Sequence, residues 1–204
     1  MIHDRAGTAV QVGSSEHSAF ATNGIETDGV RLRALRECDI AAFHAYRSDP
    51  QVARYQGWPP MTEAKARECV REQGIRSDLQ PGRMVRFAIA EAATDRLLGD
   101  VGLRLSHDRR EAELSITVAP SAQGRGVGRC ATRAAFALLS GEPALERIRA
   151  DADARNLPSR RMLVAAGFRD IGTAEVFVKE EACIEHRYRI ERDVFARAQQ
   201  GTRT

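Results

Sequence analysis

The sequence predicts an α+β fold built around one mixed sheet. Three strand-like runs follow one another through tight turns as a meander, and the order then becomes helix, strand, helix, strand pair. The length of 204 residues, with 43% hydrophobic residues, gives enough material to bury the core of one full domain.

Taken in order, residues 1–28 are rich in Gly, Ser, Thr and Ala and hold no sustained period, so a mobile leader is expected there. A single domain is expected over 29–197, with a short tail at 198–204. Val30, Leu32 and Ala34 alternate with Arg31, Arg33 and Leu35 as a first strand. Ile40, Phe43, His44 and Arg47 then keep helical spacing until Asp49-Pro50 breaks it. Thr62 is the expected N-cap of a second helix whose Ala66, Cys69, Val70 and Gln73 share a face. The meander runs through Val85 to Ala90, Leu97 to Leu105 and Ala112 to Ala119, with turns at Thr94-Asp95-Arg96 and at His107 to Arg110. A helix carrying Val127, Cys130, Ala131, Ala134 and Leu138 on one face follows a glycine-rich loop. Ile148 to Ala154 is a further strand, Pro158 suits the first turn of another helix, and Gly167 closes that helix. Val176 to Val178 and Ile184 to Ile190 make the final strand pair.

Composition narrows the function classes. Lys plus Arg is 31 and Asp plus Glu is 28, a surplus of +3. That balance, with 5% aromatic residues, argues against a nucleic-acid module. No apolar run approaches the ~20 residues of a membrane span, and the first residues lack a signal-peptide core, so a cytoplasmic protein is expected. Cys38, Cys69, Cys130 and Cys183 are dispersed without metal-ligand spacing; they read as reduced cysteines, mostly in the core, and no metal is expected.

The segment Gln123-Gly124-Arg125-Gly126-Val127-Gly128-Arg129 lies between a strand and a helix. Glycines there let backbone N–H groups approach a ligand closely, and the helix adds its positive N-terminal end, an arrangement suited to a pyrophosphate. Arg125 and Arg129 add charge able to grip phosphate. The dinucleotide fingerprint is excluded because its third glycine position holds Arg129, and a kinase-type phosphate loop is excluded by Gly128-Arg129-Cys130. The competing reading is a surface turn whose glycines serve geometry alone.

The same segment fits the coenzyme A signature Gln/Arg-x-x-Gly-x-Gly/Ala, and Asn156-x-x-Ser159 … Gly167-Phe168 follows it. With both motifs in register, the chain from about Val30 to Phe195 resembles the GNAT superfamily of N-acetyltransferases, in particular its RimJ/RimL-like branch. The resemblance implies a mostly antiparallel central sheet flanked by helices, and acetyl-CoA as co-substrate. By position it implies that Thr117 and Val118 meet the pantetheine arm through main-chain groups and that Gln123, Gly124, Arg125, Gly126, Val127, Gly128 and Arg129 hold the pyrophosphate. Asn156 is placed beside the coenzyme, Ser159 near its sulfur, and Arg160 within reach of a coenzyme phosphate.

Acetyl transfer needs a base for the amine, polarisation of the thioester and stabilisation of the leaving thiolate. Glu113 is the candidate base: it shares a strand face with Ser115 and Thr117 and lies where many members of the superfamily keep a glutamate. Its competing reading is a solvated strand carboxylate. The superfamily's common tyrosine, seven places after the asparagine, is replaced by Leu163, so Ser159 becomes the candidate partner of the sulfur; its competing role is helix capping. Tyr55, Trp58 and His186 are candidate acceptor contacts, set against ordinary packing for the two aromatics and a structural role for His186. The expectation is direct transfer in a ternary complex to a primary amine, either a protein N-terminus or a small molecule, by a monomer or homodimer. A non-catalytic acyl-CoA sensor and a transferase of longer acyl groups are the alternatives.

Overall fold

The computed structural model describes residues 24–75 and 78–200. The expected leader lies outside the described residues up to residue 23, as does the tail from 201. Strand β1, Ile25–Thr27, pairs antiparallel with β2, Val30–Ala34. The turn between them is Asp28-Gly29, with φ of 49° and 81°. Positive φ at both central residues matches the right-handed twist of a hairpin, and Asp-Gly is the pair that tolerates it best. The sheet therefore starts before the boundary expected at residue 29, and the Asp-Gly pair is the signal for it.

One 3-10 turn, Glu37–Asp39, leads into helix α1, Ile40–Arg47, and α2 is a single turn, Pro50–Ala53. Helix α3, Glu63–Gly74, starts as expected: Thr62 Oγ1 accepts from the Lys65 N–H at 3.3 Å, and Ala66, Val70 and Gln73 are buried. The meander forms as β3, Met84–Glu91; β4, Leu97–Leu105; and β5, Glu111–Val118. Then come α4, Val127–Leu139; β6, Arg147–Asp153; α5, Leu157–Ala165; β7, Arg169–Val178; and β8, Glu181–Glu191. A closing helix, α6, Arg192–Gln200, runs past the boundary expected at 197. No Ser, Thr, Asp or Asn precedes it as a cap, so the sequence carries no start signal for it.

The eight strands form one sheet in the order β1-β2-β3-β4-β5-β6-β8-β7. Every pairing is antiparallel except β5 with β6, which α4 connects as a crossover. The sheet separates two cores. Leu32, Phe87, Leu103, Ala112, Leu114, Ile148, Ala150 and Tyr188 meet α4, α5 and α6 on one face. Phe136 of α4 packs there between Phe168 and Phe195, with ring centroids 5.8 and 5.6 Å away. On the other face α1 and α3 cover Ala88, Leu97 and Ala119 with Phe43, Tyr46, Ala66 and Val70. The cysteines differ from expectation: Cys38 is exposed and the other three are only partly buried. Cys69 and Cys130 lie on the flanks of helical faces whose centres are taken by alanine and valine.

Candidate functional site

The parallel pair β5/β6 is the origin of the site. Its register holds for Glu111 with Arg147, Ala112 with Ile148 and Glu113 with Arg149, and then stops. Strand β6 stays paired to β8 along its whole length, Arg147 to Asp153 against Glu191 to Glu185. It therefore follows β8 away from β5, and the two strands open like a V. A ladder that ends mid-strand leaves main-chain N–H and C=O groups facing the gap, where they must find another partner.

Loop 123–126 and the start of α4 lie beyond the end of β5. Gly124 and Gly126 hold φ of 72° and 80°, a left-handed conformation costly for other residues, and a Cβ on either would meet nothing within 4 Å. Their outer side is open space. Gly126 is the N-cap of α4 and carries no side chain to cap it, so the first N–H groups of the helix keep no intrahelical partner and no side-chain cap from that position. Gln123 Nε2 donates to the Val118 carbonyl at 3.0 Å and ties the loop to the strand end. A Cβ on Gly128 would sit 3.6 Å from Met162 Cγ and 3.8 Å from Val118 Cγ2, ordinary contact distances that place the start of α4 beside both α5 and β5. Arg125 and Arg129 are exposed around this opening, Arg125 with Glu91 at 3.5 Å. Thr117 is buried on the α1 side of β5.

Within the V lies a cleft of about 70 Å³. Leu114, Ser115 and Ile116 form one wall, and Ala150, Asp151 and Ala152 the other. Asn156, Ser159, Met162 and Leu163 close it from α5, with Tyr55 and Gln56 above. Asn156 is the N-cap of α5: its Oδ1 accepts from the Ser159 N–H at 3.2 Å. Capping thus falls to Asn156, and the Ser159 hydroxyl is not needed for it. Leu163, at the tyrosine position, is buried at the apolar end.

Asp151 is the one carboxylate among the residues lining this cleft. Burial pushes its carboxyl above the usual range, Arg149 opposes that, and Glu113 adds to it by like charge. Sequence reasoning missed it, although an aspartate alternating with Ala150 and Ala152, five residues before Asn156, was there to be read.

The other expected residues fall elsewhere. Glu113 does not line the cleft. It accepts from Arg104 and, at 3.2 Å, from Arg149, and borders a separate cavity of about 280 Å³ with Arg104, His107 and Glu111. Two guanidiniums are available in the neighbouring strands, and the paired end of β5 brings them to it. Trp58 lies over the buried Arg47 guanidinium, 4.3 Å from the ring centroid, as a cover for the α1 core. His186 is on the α5 side of β8, with Nδ1 2.6 Å from Asp170 Oδ2. Arg160 donates to Tyr188 Oη at 3.0 Å and to the Ala154 carbonyl at 3.2 Å, bracing α5 against the sheet. Of the acceptor candidates, the structure brings only Tyr55 to the cleft.

This geometry can be set beside known proteins. The family model described as an acetyltransferase (GNAT) domain matches residues 30–169. An uncharacterized N-acetyltransferase, p20, from Bacillus licheniformis is 26% identical over 155 residues, covering 75% of this chain and 86% of that protein. Among solved structures, a GNAT-family acetyltransferase from Bacillus anthracis superposes with a TM-score of 0.74 at 22% identity, covering 83% of this chain and 98% of the other. Spermidine N-acetyltransferase from Vibrio cholerae, solved with CoA and spermine, gives a TM-score of 0.70 at 22% identity over 82% of this chain and 98% of the other.

Proposed function

This chain belongs to the GNAT family of acetyltransferases, and on that premise we propose that it moves an acetyl group from acetyl-CoA directly to a primary amine, on a small molecule or a protein N-terminus. The observation that carries the proposal is the V between β5 and β6, with an uncapped helix start at one end and the Ser159 hydroxyl inside. The loop from Gln123 to Arg129 holds the pyrophosphate on main-chain N–H groups, and Arg125 and Arg129 screen its charge. The open edge of β5 at Thr117 and Val118 receives the amide-bearing pantetheine arm as a strand would. Asn156 orders the first turn of α5, so that Ser159 donates a hydrogen bond to the departing sulfur in place of the phenol that Leu163 lacks. Thiolates of pKa near ~8.5 leave with little help, which makes a hydroxyl sufficient. The narrow, apolar end formed by Leu114, Ile116 and Leu163 favours a short acyl group. The Asn156-x-x-Ser159 … Gly167-Phe168 block supports placement in the RimJ/RimL-like branch.

The test is thiol release from acetyl-CoA with spermidine, kanamycin and an alanyl peptide as acceptors, beside calorimetric titration of coenzyme A. Acceptor-stimulated release supports transfer. Tight coenzyme binding with no release from any amine identifies an acyl-CoA sensor instead, and release with succinyl-CoA but not acetyl-CoA moves the donor to a longer acyl group.

A further inference from the structure

We propose that Asp151, rather than Glu113, accepts the proton of the attacking amine, an inference that rests on the acyl-transfer reading of the β5/β6 cleft. In the step, a substrate ammonium gives one proton to the Asp151 carboxylate. The freed nitrogen lone pair forms the new C–N bond at the thioester carbonyl. The C–S bond breaks, the second nitrogen proton goes to the sulfur, and Asp151 returns its proton to solvent.

Position is the first argument. Along β6, Ala150 and Ala152 face the α4 core, so the alternation sends Arg149, Asp151 and Asp153 to the opposite face. Helices α1 and α3 cover that face over β3 and β4. Over β6 and β8 it carries charged side chains, including the exposed Arg187 and Arg189. Asp151 stands where that charged face meets the V, within the group that holds Ser159. An amine arriving from the charged face reaches Asp151 before it reaches the hydroxyl.

Availability is the second. The Asp151 side chain keeps 28% exposure, and its nearest cation, Arg149 Nε, is 3.8 Å away. That is an ion-pair distance but too long for a hydrogen bond, and Arg149 Nε is buried without a hydrogen-bond partner among the described residues. The Asp151 carboxylate therefore keeps acceptor capacity for a substrate N–H. Glu113 is in the opposite condition, held by two guanidiniums on the far side of Arg149. The groups acting on Asp151 are Arg149 on its own strand, Glu113 and Glu111 on β5, and on β8 its cross-strand partner Arg187 and the carboxylate of Glu185. Burial and the β5 carboxylates raise its pKa against the pull of the arginines, which moves it toward the range where a base is efficient.

The experiment compares wild type, Asp151→Asn, Asp151→Glu and Glu113→Gln in thiol release with acetyl-CoA and the acceptors named above, across pH, with coenzyme A affinity measured for each. For Asp151 as base, Asp151→Asn lowers kcat at least 100-fold, keeps coenzyme affinity within twofold and loses the acid limb of the pH profile, while Asp151→Glu restores part of kcat. Glu113→Gln removes a negative neighbour and frees Arg149, both of which lower the Asp151 pKa; the acid limb shifts to lower pH and the plateau stays within threefold. Asp151→Asn with kcat within threefold and its acid limb intact overturns the assignment and leaves the transfer reading standing. Loss of the plateau in Glu113→Gln alone returns the role to Glu113. Wild type that binds coenzyme A but acetylates none of the amines overturns both readings together.

Discussion

Asn156 and Ser159 divide two tasks that a sequence motif cannot separate. Asn156 Oδ1 holds the Ser159 N–H, so the amide oxygen caps α5 and the hydroxyl is left for the cleft. Asn156→Ala removes the cap of α5 and is expected to cost about 1 kcal/mol in urea unfolding. Ser159→Ala is expected to leave the unfolding midpoint unchanged and to remove the hydrogen bond proposed for the sulfur, about 1 kcal/mol or roughly fivefold in kcat, with KM for acetyl-CoA unaltered. A midpoint that falls in Ser159→Ala and not in Asn156→Ala would reverse the two assignments. Both residues could be named from the sequence spacing. Their division of labour could not, since either side chain can cap the first turn of a helix behind Pro158.

At the scale of elements, the loop and α4 act as one unit. Gly126 combines a φ of 80° with open space where a side chain would project, so its backbone conformation is demanding while its surroundings are not. Gly126→Glu places a carboxylate before the helix N-terminus, where the diphosphate is proposed to lie. Calorimetry is expected to show coenzyme A affinity reduced at least 100-fold, with a midpoint lowered by only the left-handed penalty of about 1–2 kcal/mol. Unchanged affinity would remove the loop from the binding site. Strand β6 shows where the two candidate carboxylates stand. Periodicity put Glu113 on the correct face of β5, but only the pairing pattern reveals that β5 and β6 part after Glu113. The glutamate therefore stays at the closed end between arginines, and Asp151 stands at the open one.

For the molecule as a whole, the α1 layer is fastened to the sheet through a buried charge cluster. Asp100 on β4 accepts from Arg47 Nη2 at 2.5 Å, Arg86 Nη1 at 3.1 Å and Tyr46 Oη at 2.8 Å, and Trp58 covers Arg47 from outside. Burial pushes the Asp100 carboxyl up, but Arg47 and Arg86 outweigh it and hold the group below the usual carboxylate range. A depressed native pKa contributes stability that is present above the unfolded value of ~3.9 and is lost as pH falls through the native one. Asp100→Asn leaves Arg47 uncompensated and is expected to cost about 3–5 kcal/mol at pH 7 and to flatten the acid end of the stability profile. An unchanged urea midpoint would show that the cluster contributes nothing net. The sequence by itself determined the order of the main elements from β2 to β8, the cap at Thr62, and the loop from Gln123 to Arg129, because periodicity, capping and glycine conformation are local properties of a chain. Only the tertiary structure decided which carboxylate meets the cleft, that Trp58 covers Arg47, that Arg160 braces α5 against Tyr188 and that His186 pairs with Asp170. The first of those outcomes depends on where β6 leaves β5 to follow β8, and all of them on contacts between partners distant in sequence that no local pattern encodes.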